Sequence, residues 1–78
     1  MLEIHLHLYS ILREKLPSEA KGRTILHLDE GAILADLLDK LDIKRKVVIS
    51  VNGTHETNKS RQLQNDDTVK MFSSISGG

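Results

Sequence analysis

Few residues in this 78-residue chain have types and spacing that could do chemistry. His5 and His7 share one face of an alternating segment, and His27 lies in a second such segment. Three imidazoles on one sheet face have the donors zinc takes. There is no cysteine, and no carboxylate clearly completes the set by spacing, so no metal ligands are assigned. Asp36, Asp39 and Asp42 fall near one another at helical spacing. Paired carboxylates can move protons, but a solvated helix face accounts for these three. The serines fall in no Ser-His-Asp pattern. What remains is the final pair, Gly77-Gly78. With glycine at roughly 7% of ordinary sequence, a terminal pair arises by chance on the order of once in 200 chains.

The bulk composition narrows what those residues could serve. A chain of 78 residues is one domain. Such a chain buries only about 60% of its unfolded surface, which leaves no room for a deep internal active site. Eleven Lys/Arg balance eleven Asp/Glu, so no basic excess points to nucleic acid or a membrane surface. The lack of cysteine excludes disulfides, a thiolate nucleophile and cysteine-type zinc sites. So small a domain without disulfides fits a reducing compartment, and a cytoplasmic location is expected. The first residues, MLEIHLHLYS, alternate and carry charge early, unlike the apolar block of a signal peptide. The longest apolar stretches fall far short of a membrane span.

The elements that must position these residues follow from periodicity. Leu2, Ile4, Leu6 and Leu8 alternate with Glu3, His5, His7 and Tyr9, the period of a half-buried strand. Ser10 to Leu16 breaks the alternation and has the length of about two helical turns, stopped by Pro17. Ser18 to Gly22 reads as a polar loop, and Thr24 to Asp29 as the hairpin partner of the first strand, with Leu26 and Leu28 inward. Gly31 opens a helix whose apolar stripe is Ile33, Leu34, Leu37, Leu38 and Leu41. Asp36 suits the third position of a capping box, yet Ile33 three residues earlier cannot accept a hydrogen bond. Lys46 to Val51 is a β-branched strand, and Asn52-Gly53 a tight turn. His55 to Gln64 is mostly loop with room for a short edge strand, and Asn65-Asp66-Asp67 is a further turn. The last strand turns Val69, Met71 and Ile75 inward and Lys70 and Phe72 outward, with the first and last strands side by side at the sheet centre. This order predicts an α+β fold with one main helix packed on a sheet.

In this order the segments resemble the MoaD/ThiS family of ubiquitin-like sulfur carriers, and the likeness covers nearly the whole chain. Tyr9-Ser10-Ile11-Leu12-Arg13-Glu14 resembles the family's aromatic-Ala-x-Leu-Arg-Glu segment. Residues 30–38, EGAILADLL, are similar to its Glu-Gly-Ala-Thr-Val-x-Asp-Leu-Leu helix entry. Val51-Asn52-Gly53 matches its Val-Asn-Gly turn, and residues 63–69, LQNDDTV, resemble Leu-x-Asp-Gly-Asp-Glu-Val. The ending FSSISGG is similar to Phe-Pro-Pro-Val-Ser-Gly-Gly. Ile33 stands where the family has a capping Thr, and Asp66 where it has a turn Gly, a position Asp tolerates in a left-handed conformation. Ser73-Ser74 replaces Pro-Pro, which makes this tail less stiff.

The resemblance implies a β-grasp fold with a mixed four- to five-stranded sheet over residues 1–72 and a tail over 73–78. It also implies a carrier rather than an enzyme. Its working group would be the α-carboxylate of Gly78, made an acyl-adenylate with ATP by a ubiquitin-activating-type adenylating enzyme. A sulfur donor would then convert it to a thiocarboxylate. Gly77 and Gly78 lack Cβ atoms, so a partner's backbone can close around them. Ser73, Ser74, Ile75 and Ser76 would act as a spacer, and Lys70 and Phe72 as part of a docking face. The closest likeness is to the molybdopterin synthase small subunit, whose large subunit would receive the tail. The long Tyr9–Arg23 connection favours this subfamily. Sulfur supply for thiazole formation or tRNA thiolation, conjugation to lysines as a ubiquitin-like modifier, and a plain β-grasp interaction module remain as alternatives. No bound cofactor, nucleic acid or membrane partner is expected.

Overall fold

A computed structural model describes residues 1–44 and 46–73, with Ser18 described by its backbone. Alternating apolar side chains build the sheet. Leu2, Ile4, Leu6 and Leu8 of β1 (Leu2–Leu8) are buried, while the residues between them face outward. β2 (Arg23–Leu28) pairs antiparallel with β1. Helix α1 (Leu34–Lys40) follows, then β3 (Val47–Val51), the short β4 (Thr54–Glu56) and β5 (Thr68–Ser73). The strand order is β2-β1-β5-β3-β4. β5 runs parallel to β1 and antiparallel to β3, so the expected pairing of first and last strands at the sheet centre is borne out. The fold is α+β, a five-stranded mixed sheet with one α-helix on its inner face. Leu34, Leu37 and Leu38 of α1 close the core against Ile49, Val51, Val69 and Met71 of the sheet.

The helix begins later than its sequence predicts. Gly31 does not open it. Gly31 is an exposed turn residue at φ 87, and Ile33 is extended at φ −117, ψ 172. The cap that Ile33 lacks comes from another segment. The N–H groups of Leu34 and Ala35 donate to the carbonyls of Arg61 (3.1 Å) and Lys59 (2.9 Å). Asp36 Oδ2 accepts the Ile33 N–H at 2.9 Å, the half of the capping box that the sequence retains. The first orphan donors of the helix are thus satisfied by a loop more than twenty residues away in sequence.

The long connection between β1 and β2 is tighter than two α-helical turns. It forms a 3-10 helix over Ser10–Lys15, which buries Leu12, and a second over Ser18–Ala20 within the expected polar loop. Gly22 returns the chain to β2 at φ 79, and its carbonyl accepts the Leu8 N–H at 2.6 Å. A Cβ there would run into the Leu8 carbonyl oxygen, so only glycine fits.

The two expected turns are fastened to each other. Asp67 is 5% exposed, and it is the one buried charged side chain among the described residues. Its carboxylate accepts hydrogen bonds from Asn52 Nδ2 and the Gln64 N–H, both at 2.8 Å, and Arg61 Nη1 lies 3.8 Å away. Asn52 Oδ1 in turn accepts the Thr68 N–H at 2.9 Å. Asn52 therefore does two jobs. It takes the left-handed conformation of the β3–β4 turn (φ 52), and its amide joins that turn to the start of β5. Asn52→Gly keeps the conformation and loses the bridge, a cost of about 2 kcal/mol. Asn52→Ala adds left-handed strain of about 1 kcal/mol more. Urea denaturation of the two variants measures both costs and their difference.

Candidate functional site

The outer face of the sheet is organised in rows that run across the strands. Register places Arg23, His7, Lys70, Ser50 and His55 side by side, one from each strand in spatial order. The row carries two permanent cations and two imidazoles. A shallow hollow of about 180 Å³ at its β2 end adds Arg13 and Lys21 to the lining. The pKa of His7 is lowered from its ordinary value, first by burial and then by the charges of Arg23 and Lys70 and by His5. A strand pattern with balanced net charge thus concentrates positive charge on one stripe.

The next row towards the end of β5 is apolar. Phe72 is 39% exposed and pairs in register with Val48, itself 41% exposed. The Tyr9 ring stacks on the Phe72 ring with centroids 4.5 Å apart and planes 8° from parallel. The Tyr9 N–H donates to the Met71 carbonyl at 3.1 Å, which extends the β1–β5 pairing past Leu8 and fixes the ring's position. Phe72 therefore faces outward, as its alternation predicts, and one side of its ring is covered by Tyr9. Sequence reasoning missed Tyr9 and Val48. Once β1 and β5 are laid parallel with Leu8 opposite Met71, Tyr9 falls beside Phe72, so the signal was present in the register.

Lys70 lies in the basic row and Phe72 in the apolar one, so the structure brings these two predicted residues onto one face. Ser73 is not yet spacer: it is the last residue of β5 and pairs with Val47. Ser74, Ile75, Ser76, Gly77 and Gly78 lie outside the described residues. The three histidines are not gathered as one set. His5, His7 and His27 share the outer face, but His7 faces Arg23 and His27 faces Glu3 across the hairpin. Of the helix carboxylates, Asp36 caps the chain entry, and Asp39 and Asp42 are exposed.

The ThiS family model matches residues 7–78, a span that takes in Tyr9, Lys70, Phe72 and the final glycine pair. The chain belongs to the ThiS family. No curated protein matches it by sequence. Solved structures share the fold. A Pyrococcus furiosus protein described as a candidate molybdopterin converting factor, subunit 1, superimposes with a TM-score of 0.78 at 18% identity, covering 96% of this chain and 100% of that one. The Haloferax volcanii HVO 2177 protein gives 0.79 at 20% identity, covering 99% and 87%. Small archaeal modifier protein 1 of H. volcanii gives 0.76 at 15% identity, covering 96% and 100%. The resemblance read from the sequence and its β-grasp fold both hold. No described helix of this ThiS-family chain is long and apolar enough to cross a membrane.

The basic row has a measurable consequence. His7 binds its proton less readily in the fold than in the unfolded chain, so the unfolded state takes up more protons as pH falls through about 6.5. The contribution of His7 to folding stability should therefore decline as pH falls across that range and recover above it. His7→Gln should flatten the decline relative to wild type, as read by urea midpoints between about pH 7 and pH 5. The His7 ring signal in NMR should titrate below the ordinary imidazole value.

Proposed function

We propose that this protein is a sulfur carrier that works through the α-carboxylate of Gly78 and donates sulfur for molybdopterin assembly. The observation that carries the reading is the ThiS family match, which extends through Gly77 and Gly78 at the end of a chain with the family fold. The geometry supports it. β5, the middle strand, ends at Ser73, five residues before Gly78. Five extended residues reach at most about 17 Å, enough to enter a partner's cleft from a fixed starting point.

The chemistry begins with a carboxylate, which has no leaving group. Attack of the Gly78 carboxylate oxygen on the α-phosphorus of ATP, in the site of an adenylating partner, expels pyrophosphate and leaves an acyl-adenylate. Hydrosulfide delivered by a sulfur donor then adds to the acyl carbon, and AMP departs. The product is a thiocarboxylate whose sulfur is nucleophilic. The large subunit of molybdopterin synthase is the proposed acceptor, and the catalytic groups belong to the partners. All of this is assigned to the cytoplasm. The stacked Tyr9–Phe72 pair, Val48 and the Arg23–His7–Lys70 row form the proposed docking face, which calls for an apolar and acidic counterpart.

The likeness to small archaeal modifier protein 1 favours one second reading, conjugation of Gly78 to lysines. Intact-mass measurement of protein from its native cell separates the two. Exchange of one oxygen for sulfur at the C-terminus is the expected result. Gly-Gly remnants on lysines of other proteins, with no thiocarboxylate, would favour the modifier. Deletion of Gly77-Gly78 should abolish adenylation by the cognate activating enzyme, and an undiminished rate in the truncate would refute both readings. Phe72→Ala should weaken partner binding by about tenfold or more while leaving the fold intact.

A further inference from the structure

We propose that Glu3, His5, His27 and Asp66 form a binding site for a divalent transition-metal ion of the zinc class. The site lies on the outer sheet face at the end of β5 away from the tail. Spacing in the sequence leaves the histidines without a carboxylate, and the folded register supplies two. His5 Nε2 is 3.6 Å from Asp66 Oδ1, and His27 Nε2 is 3.8 Å from Glu3 Oε2. One ligand atom each from Glu3, His5 and Asp66 lies within 4.8 Å of the other two. Tetrahedral zinc with bonds of about 2.0–2.2 Å holds its ligand atoms about 3.4 Å apart. Both histidine–carboxylate pairs stand close to that spacing. His27 stands outside that group of three and joins it through Glu3, so closing the set requires torsion of side chains that are 40% to 71% exposed.

The backbone beneath these side chains is already set. Glu3 and His27 are cross-strand partners, and His5 follows Glu3 on the same face of β1. The 65–67 turn is bound to β1 at those same residues. The Asp66 N–H donates to the Glu3 carbonyl (2.8 Å), the His5 N–H to the Asp67 carbonyl (2.9 Å), and the Glu3 N–H to Asn65 Oδ1 (2.9 Å). Asp66, at φ 69, occupies a conformation glycine would take more readily, and its carboxylate points at His5. Metal binding would therefore order four side chains on three fixed segments without moving the main chain. Two imidazoles with two carboxylates suit Zn²⁺ or Co²⁺. Mg²⁺ and Ca²⁺ favour all-oxygen sets, and Cu⁺ favours thiolates. His7 and His55 lie in the basic row beside Arg23 and Lys70, outside this cluster.

The test uses the untagged full-length protein. Zn²⁺ titration by calorimetry should give one ion per chain. With stoichiometric Co²⁺, the ring signals of His5 and His27 should shift and broaden in NMR much more than those of His7 and His55. His5→Ala and His27→Ala should each weaken Zn²⁺ binding by about tenfold or more, whereas His7→Ala should not. Amide spectra confirm that the variants fold, and the wild-type ring signals give a reading that needs no variant. Non-saturable binding, an equal response of all four histidines, or undiminished affinity in the double variant His5→Ala/His27→Ala would overturn the proposal.

Discussion

β5 has a strand on each side, and the rest of the molecule follows from that constraint. A strand at a sheet edge leaves half its polar backbone groups to solvent, whereas one flanked by β1 and β3 uses both of its edges. Its inward side chains, Val69 and Met71, are fully buried beneath the helix. At one end of β5 the Asp67 carboxylate ties the turn that begins the strand to Asn52 and Gln64. At the other end Tyr9 stacks on Phe72. A segment held at both ends and along both edges is a firm mount for whatever follows Ser73.

The same pairing makes the sheet's outer face specific. Period-two alternation alone only sorts residues into inside and outside. Register then decides which outward residues meet. It sets His7 between Arg23 and Lys70, where burial and charge disfavour its proton. One step along, it gathers Tyr9, Phe72 and Val48 into an apolar strip. Towards the start of β1 it sets His27 against Glu3 and brings Asp66 to His5. Three chemically distinct zones on one face thus arise from a chain of zero formal net charge.

Much of this was legible in the sequence where the cause is local. The leucine alternation of β1, the left-handed pair Asn52-Gly53 and the left-handed Asp66 are properties of adjacent residues, and each is found where the pattern puts it. The helix start was not legible. Its missing cap is supplied by the carbonyls of Lys59 and Arg61, and no signal near Ile33 announces them. Nor did the turn motifs reveal that Asn52 and Asp67, fifteen residues apart, bond to each other. The outward turn of Phe72 was readable from alternation, but its stacking on Tyr9 required the parallel register of β1 and β5. The basic stripe was hidden because its members come from different strands and cancel in the overall charge.

Amide hydrogen exchange tests the central claim most directly. If β5 is the doubly paired mount, the amides of Val69, Lys70 and Met71 will be among the slowest in the molecule and will exchange only through global unfolding. The amides of the edge strand β4, Thr54–Glu56, will exchange faster through local opening. Exchange of Lys70 and Met71 as fast as that of β4 would contradict the account.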